Sequence, residues 1–332
     1  MRGLRMFFGA AVGAAIMLTS AASAQDAKHY RFAHDQQLNS GYSVAYDIFS
    51  AKLKELSKGT MLVDQYPGAQ LGQEPQILQL VKSGDIEFAV VSSANTSTIS
   101  PQAGVMSLHF LFRNEDHIIK SLGDEKVFAA ISDMIDDTAP GIHAIGLATQ
   151  GFRYLYGKKE VHKVDDIKGY KVRVQATATE DTMFPAYGAQ TVHMPFGSVY
   201  TSLQTGVVDF AENGMNVYLI NRHYEVAPVL SKTEHEANNA IVWVSDKLWQ
   251  SLSAEQKQWV TAAAREVSVQ EPRRGFELEH TAAAKLEKMG VKIVIDVDKP
   301  GFQAIADPYL DKLAHDLGPH AEKIKNLIRA IN

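Results

Sequence analysis

The segment that decides the interpretation of this chain is Lys168-Gly169-Tyr170-Lys171-Val172-Arg173-Val174-Gln175. It predicts a glycine turn followed by a short strand, in which Arg173 projects from one face among β-branched neighbours. A second segment, residues 200–213 (YTSLQTGVVDFAEN), predicts a helix that ends at Gly206 and a buried strand after it. We interpret the two segments as the walls of a cleft that binds an anion.

Length and composition limit the classes of protein that remain. The chain has 332 residues, of which 45% are hydrophobic, and its formal net charge is −5. This length favours two domains, and this hydrophobic content excludes wholesale disorder. Because there is no run of like charges and no basic face, we expect no nucleic-acid partner. An acidic protein that binds an anion must therefore do so with a local cationic pocket.

The first residues predict export. Two arginines precede an apolar run from Met6 to Leu18, which is too short to span a bilayer, and Ala22-Ser23-Ala24 has the form of a cleavage site. We therefore expect a signal peptide at residues 1–24, a periplasmic mature chain and no direct membrane insertion after cleavage. The alternative is an N-terminal membrane anchor. The chain has no cysteine, so its cores must hold it together without disulfides.

The first part of the mature chain shows a β-α-β-α-β pattern. We predict strands at residues 28–33, 61–66 and 86–91 and helices at residues 42–57 and 70–82. In such sheets, functional loops follow the carboxyl ends of strands. That rule selects residues 34–39 and 92–95, although Ser92-Ser93 is also typical of a helix cap.

The same pattern begins again after about residue 150, and this predicts a second α/β domain. We predict strands at 142–150, 151–156, 190–194 and 207–211, helices at 179–187 and 198–205, and a helix over 301–332. The fold class is therefore α/β, with two doubly wound lobes joined by a hinge. We assign residues 25–150 and about 239–275 to lobe I, 151–238 and about 276–305 to lobe II, and 306–332 to a C-terminal helix.

A long helical pattern starts at the N-cap Ser253 and continues to about Leu286, with Pro272 inside it. Proline kinks or breaks a helix. The pattern therefore has two interpretations: one helix that packs on both lobes and bends between them, or two helices separated at Pro272.

Motifs of catalysis are missing from the sequence. It contains no H-E-x-x-H, no P-loop, no G-x-S-x-G and no C-x-x-C, and we predict no metal and no cofactor. The densest polar triplet is Glu234-His235-Glu236. One histidine between two glutamates is a weak signal for a metal or acid–base site, and a structural role is the better prediction.

Several motifs together resemble the solute-binding proteins of TRAP (tripartite ATP-independent periplasmic) transporters, and the resemblance covers nearly the whole mature chain in order and spacing. The motifs are Pro67-x-x-Gln70-Leu71-Gly72, Gly169-x-Lys171-x-Arg173-Val174, Pro195-Phe196-x-x-Val199-Tyr200, Tyr200-x-x-Leu203-Gln204-x-Gly206-Val207-Val208-Asp209-x-x-Glu212-Asn213 and Tyr224-Glu225-Val226. The resemblance implies two α/β lobes, a hinge, a long helix across both lobes and closure over an organic acid.

The resemblance also implies the binding residues. Arg173 would pair with the ligand carboxylate, for which a guanidinium offers a matching two-pronged donor. Asn213 would supply an amide, Arg153 a second arginine, Phe196 an aromatic wall and Glu74 an acceptor for hydroxyls.

Two further positions complete the predicted site. Ser92 stands where the sialic-acid binders of the family carry a glutamate, which weakens the case for such a ligand. Gln36 lies in a loop that departs from the commoner family sequence, and we predict it as a further contact.

The predicted function is a monomeric periplasmic receptor that delivers an organic acid to the membrane permease of a TRAP system. C4-dicarboxylates and sugar acids such as uronates are the leading ligand classes. One alternative is a periplasmic enzyme acting on an organic acid, with His235 and Glu74 as acid–base candidates. Another is the ligand-binding subunit of a sensor.

Overall fold

The structure is a computed structural model that describes residues 27–332. The predicted signal peptide, residues 1–24, lies outside the described residues. The strands are β1 (Lys28–Ala33), β2 (Met61–Tyr66), β3 (Phe88–Ser92), β4 (Ile142–Gly157), β5 (Lys171–Val174), β6 (Gln190–His193), β7 (Phe210–Asn213), β8 (Val229–Ser245) and β9 (Lys292–Val294). The helices are α1 (Gly41–Leu56), α2 (Glu74–Ser83), α3 (Ser93–Thr96), α4 (Glu115–Gly123), α5 (Glu125–Thr138), α6 (Ala178–Ala186), α7 (Val199–Thr205), α8 (Met215–Ile220), α9 (Asp246–Ser251), α10 (Ala254–Lys288), α11 (Lys299–Leu317) and α12 (Pro319–Ala330).

All nine strands belong to one sheet with the order β2-β1-β3-β8-β4-β7-β5-β6, and β9 pairs with β8. The strand β1 is parallel to both β2 and β3, which confirms the predicted β-α-β-α-β unit. At the other end of the sheet, β5 is parallel to β6 and β7. The molecule is therefore two-lobed, with a first lobe around β1–β3 and a second lobe around β5–β7.

The antiparallel strands β4 and β8 run through both lobes. Their pairing extends from Ile142 opposite Ser245 to Gly157 opposite Val229. Between the two lobes the register shifts, so that Gln150 and Gly151 lie opposite the single residue Asn238. Gly151 has a φ of +79°, a conformation that glycine adopts without strain. The prediction of two separate strands here is wrong, because the bulge interrupts the ladder without ending it.

The helix α10 is continuous through Pro272. The interpretation as two helices broken at this proline is therefore wrong. The helix packs on α1 and β4, and also on α4 and α8, so that it contacts both lobes. Ser253 caps its N-terminus together with Gln256, as the sequence predicts. Whether the helix bends at Pro272 remains a prediction.

Two further sequence predictions need correction. The strand predicted at residues 207–211 corresponds to β7, which begins only at Phe210. Val207 belongs instead to the turn after α7, where it is 52% exposed. The predicted C-terminal helix of residues 306–332 is two helices, α11 and α12, separated at Gly318. The division of the chain into lobes at particular residues remains a prediction.

The C-terminal segment contacts both lobes. The helix α11 packs on α6 of the second lobe, whereas α12 packs on α5 of the first lobe. The end of the chain is bound to α4, since the Nζ of Lys120 donates to the backbone oxygen of Asn332 at 3.1 Å. Among the residues that the structure describes, none of the helices combines the length and apolar composition needed to cross a bilayer.

The approach of α1 and α10 to β4 yields a prediction about packing. A Cβ on Gly275 would lie 2.9 Å from the carbonyl oxygen of Thr149, which belongs to the sheet ladder and cannot move freely. We expect Gly275→Ala to lower the free energy of unfolding by about 1–3 kcal/mol, measured by urea denaturation. The control is Gly123→Ala, where a Cβ meets nothing within 4 Å. Equal stabilities of the two variants would contradict this account of the packing.

Candidate functional site

A polar cavity lies between the two lobes, where the segments after β1 and β3 face the ends of β5 and β7. All seven residues that the sequence analysis selected line it: Gln36, Glu74, Ser92, Arg153, Arg173, Phe196 and Asn213. Six residues that it did not select also line the cavity: Asp35, Tyr42, Asn95, Gln150, Gln175 and Asn238. The structure thus brings the selected residues together in one place, and their role in binding remains a prediction.

Arg173 is a buried cation without a carboxylate partner in the described part of the chain. It sits in β5, and its side chain is only 2% exposed. Its Nε and Nη2 donate to the backbone oxygen of Met194 at 3.2 and 2.9 Å, and no acid of residues 27–332 lies within 4.0 Å of its guanidinium. Burial, followed by the charge of Arg153, lowers the pKa of Arg173 to about 10. A buried guanidinium whose charge no carboxylate balances favours the binding of an anion in the cavity.

Arg153 differs from Arg173 because internal acids already hold it. The guanidinium forms a two-pronged ion pair with the carboxylate of Glu212, and its Nη1 donates to Oδ1 of Asn238 at 2.8 Å. The carboxylate of Glu236 lies 3.5 Å from its Nε. These contacts occupy most of the five N–H groups of the guanidinium. Arg153 therefore lines the cavity with its positive charge already balanced.

Asn213 presents a donor to the cavity. Its Oδ1 accepts from the backbone N–H of Gly214 at 2.9 Å and from Nδ2 of Asn238 at 2.7 Å. Within the described part of the chain, its own Nδ2 has no hydrogen-bond partner. Phe196 forms a wall on the same side and packs against His223, with 5.5 Å between the ring centroids.

Glu74 lies at the start of α2 and is surrounded by donors. Its Oε1 accepts from the hydroxyl of Tyr42 at 3.0 Å and from the backbone N–H of Ser92 at 2.9 Å. Its Oε2 accepts from Oγ of Ser92 and from Nδ2 of Asn95, both at 2.5 Å. Ser92 also caps α3, so the predicted capping role is confirmed.

The proposed acid–base pair of His235 and Glu74 is wrong. His235 does not line the cavity, and burial lowers its pKa well below the usual value for histidine. Glu74 lies in the cavity wall with donors on both of its oxygens. The two side chains therefore cannot act on one bound molecule.

Asp35 adds a second buried acid. Burial, reinforced by the neighbouring charge of Glu74, raises the pKa of Asp35 well above its ordinary value. The amide of Gln36 donates to Oδ1 of Asp35 at 2.9 Å. The Oε1 atoms of Gln36 and Gln150 are buried without a hydrogen-bond partner in residues 27–332. The cavity therefore has a cationic side at Arg173 and an acceptor-rich side opposite it.

The cavity is narrow. Its inner space is about 10 Å³, room for about one water molecule, and a recess of about 210 Å³ joins it at the mouth of the cleft. Two hydrogen bonds cross the cleft: Nε2 of Gln175 donates to Oγ of Ser92 at 2.8 Å, and the backbone N–H of Gly197 donates to Oε1 of Gln73 at 3.1 Å. A larger molecule can enter the inner space only when the walls separate.

Sequence reasoning came close to some of the missed residues. Asp35 lies in the loop after β1, and Asn95 lies in the short helix α3 directly after β3; the rule for strand ends selected both segments. Gln175 is the last residue of the segment 168–175, which predicted one wall of the cleft. No sequence pattern indicated that Gln150 and Asn238 line the cavity, because the direction of their side chains depends on the bulge between β4 and β8.

Comparison with known proteins identifies the family. The model of bacterial extracellular solute-binding protein family 7 (DctP) matches residues 32–316. The chain belongs to this family. A solute-binding protein of Chromohalobacter salexigens is 30% identical over 275 residues, which are 82% of this chain and 80% of the relative.

Solved structures of TRAP periplasmic solute-binding proteins have the same fold. The protein of Xanthobacter autotrophicus Py2, with bound β-D-galacturonate, is 28% identical with a TM-score of 0.84, covering 91% of this chain and 100% of that one. The protein of Pseudomonas putida F1, with bound D-glucuronate, is 27% identical with a TM-score of 0.84, covering 92% and 98%. The resemblance to TRAP receptors is confirmed. This family member is a solute receptor and not an enzyme.

The different environments of the two arginines predict different effects on stability. We expect Arg153→Met to lower the free energy of unfolding by about 3–5 kcal/mol, because Glu212 is left as an unpaired buried charge. Arg173→Met leaves no carboxylate without its ion-pair partner and should change the free energy of unfolding by at most about 1 kcal/mol. Urea denaturation without ligand measures both values. A larger loss for Arg173→Met than for Arg153→Met would contradict these assignments.

Proposed function

We propose that this protein is a periplasmic receptor for a sugar acid with one carboxylate, such as a hexuronate. It holds the acid between its lobes and delivers it, as a monomer, to the membrane permease of a TRAP system. The observation that carries the proposal is the buried guanidinium of Arg173, which faces the cavity without a carboxylate partner in the described chain.

Arg173 and Asn213 together suit a carboxylate. A guanidinium is planar and permanently charged, and two of its N–H groups match the two oxygens of a carboxylate. The free Nδ2 of Asn213 adds a neutral donor on the same wall. Because the site is removed from water, each of these hydrogen bonds is stronger than it would be on the surface.

The charge distribution favours one carboxylate over two. Arg153 is already neutralised by Glu212, so it offers little net charge to a second carboxylate. On the opposite wall a second carboxylate would approach the carboxylate of Glu74, and like charges in a buried site repel each other strongly. The cavity therefore disfavours C4-dicarboxylates, which the sequence alone leaves open.

The remaining polar groups suit hydroxyls. The Oε1 atoms of Gln36 and Gln150 are acceptors without donors in residues 27–332, and the hydroxyls of a sugar can supply those donors. The bound β-D-galacturonate and D-glucuronate of the two similar receptors combine one carboxylate with several hydroxyls. Both observations support a polyhydroxy monocarboxylate.

Capture requires the lobes to move. The inner space holds about one water molecule, so the hydrogen bonds from Gln175 and Gly197 across the cleft must break before a sugar acid can enter. Closure follows because the closed cleft makes contacts with the ligand that the open one lacks. The closed, ligand-loaded form is the species that the permease would recognise.

Titration calorimetry with D-galacturonate, D-glucuronate, D-galactose and succinate tests the proposal. We expect one of the uronates to bind, whereas the neutral sugar lacks the carboxylate and succinate brings a second one. We expect Arg173→Ala to cost about 2–5 kcal/mol of binding free energy, and Arg173→Lys to fail as well because an ammonium lacks the planar fork. The control is Arg274→Ala, which removes an exposed arginine of α10.

Two outcomes of these titrations would contradict the proposal. Binding of succinate with higher affinity than either uronate would overturn the preference for one carboxylate. Unchanged affinity in Arg173→Ala would remove Arg173 from the site.

Asp35 predicts a dependence of affinity on pH. Its raised pKa means that the neutral carboxyl, which can donate to a ligand hydroxyl, persists above the usual range for aspartate. As the pH rises through this pKa, Asp35 becomes negative beside an anionic ligand, and we expect the affinity to fall. Calorimetry from mildly acidic to mildly alkaline pH measures the change, and Asp35→Asn should flatten it. A wild-type affinity that rises with pH would contradict this assignment.

A further inference from the structure

A second polar cluster lies behind the cavity, on the far side of Arg153. His109, His235 and Glu236 are each at most 3% exposed, and one potential ligand atom of each lies within 4.8 Å of the others. Glu180, at 1% exposure, is next to them, with its Oε1 3.3 Å from Nε2 of His109. Such a concentration of buried imidazoles and carboxylates is unusual in a protein interior.

Each histidine is held through its Nδ1. The Nδ1 of His109 lies 3.0 Å from the hydroxyl of Tyr187, and the Nδ1 of His235 lies 2.8 Å from the hydroxyl of Thr233. The Nε2 of His235 is buried without a hydrogen-bond partner in residues 27–332, and so is Oε2 of Glu180. His235 thus shows the arrangement of metal-binding histidines, in which one ring nitrogen is bound by a second group and the other is free to ligate.

The backbone brings the potential ligands together. Successive residues of a regular strand point to opposite faces, which would separate His235 from Glu236. In β8, however, residues 232–235 bulge where β4 has only Tyr154, and Glu234 takes a φ of +47°. The backbone N–H of Phe110 donates to the oxygen of His235 at 2.8 Å and places His109 beside the bulge.

The charges of the cluster do not balance. Glu212 and Glu236 both contact Arg153, and Glu180 also lies close enough for the charge of Arg153 to act on it. Three buried carboxylates therefore share a single arginine, so the cluster carries two negative charges in excess when all its acids are ionised. Uncompensated buried charge is costly, and one divalent cation would balance it.

We propose that His109, His235 and Glu236, with Glu180 as a fourth ligand, bind one divalent transition-metal ion, for which zinc is best suited. Two imidazoles and two carboxylates form a donor set that zinc accepts, whereas calcium and magnesium prefer oxygen ligands alone. The ion joins the segment around His109 to β8 and α6, and it lies behind the ligand cavity. It has a structural role there, because no ligand position faces the cleft.

Metal analysis of tag-free protein tests the proposal without any sugar acid, so it stands apart from the proposed function. Because the cluster is buried, the chain is unfolded in urea with chelator and refolded with Zn²⁺, Co²⁺ or Mg²⁺, followed by gel filtration in metal-free buffer. We expect about one Zn²⁺ or Co²⁺ per chain by mass spectrometry, no retained Mg²⁺, and visible absorption bands of bound Co²⁺. We also expect a higher Tm with Zn²⁺ than after refolding with chelator.

Two variants and a control assign the ligands. We expect His235→Gln and Glu236→Gln to lose the retained Zn²⁺, whereas His117→Gln, which changes a buried histidine outside the cluster, keeps it. If neither cluster variant folds, X-ray absorption at the zinc edge of the wild-type protein must show two imidazole ligands. Substoichiometric Zn²⁺ in the refolded wild-type protein, or retention equal to wild type in His235→Gln, overturns the proposal and leaves protons to balance the charge.

Discussion

The long antiparallel pairing of β4 with β8 is the constraint on which the rest of the structure depends. These two strands belong to both lobes, so every polar residue on their central part lies at the boundary between the lobes. The bulge opposite Asn238 directs Gln150 and Asn238 into the cavity, and the second bulge gathers His235 and Glu236 behind it. One ladder with two irregularities thus supplies groups to both polar sites.

The two arginines that line the cavity have different partners and therefore different roles. Arg153 is bound by Glu212 and by Asn238, so it organises the polar groups around it and contributes little free charge. Among the residues that the structure describes, Arg173 donates only to a backbone oxygen, so its charge is not balanced by a carboxylate. Removing Arg153 would therefore affect stability first, and removing Arg173 would affect binding first.

Much of the fold could be predicted from the sequence, because hydrophobic periodicity and glycine turns are local signals. The strands β1 and β2 have the predicted bounds, and β5 lies inside the segment of residues 168–175, where a short strand is predicted. The selected site residues all line one cavity, for which the family motifs were the main guide. The pairing of Arg153 with Glu212 and the position of Asn238 could not be predicted, because they depend on strand register between distant parts of the chain. The interpretation of two helices broken at Pro272 is wrong, because tertiary packing on both lobes keeps α10 continuous.

The C-terminal helices bear on how movement of this receptor can be observed. Since α12 packs on α5 and the final residue is bound to Lys120, a fluorophore fused to the C-terminus would travel with the first lobe. Paired with a second dye on α7, it would convert the proposed closure into a change in energy transfer. Paired with a dye on α1, it would remain silent. A genetically encoded biosensor built on this scaffold would therefore need its reporters on opposite sides of β4 and β8, with one of them attached at the existing chain end.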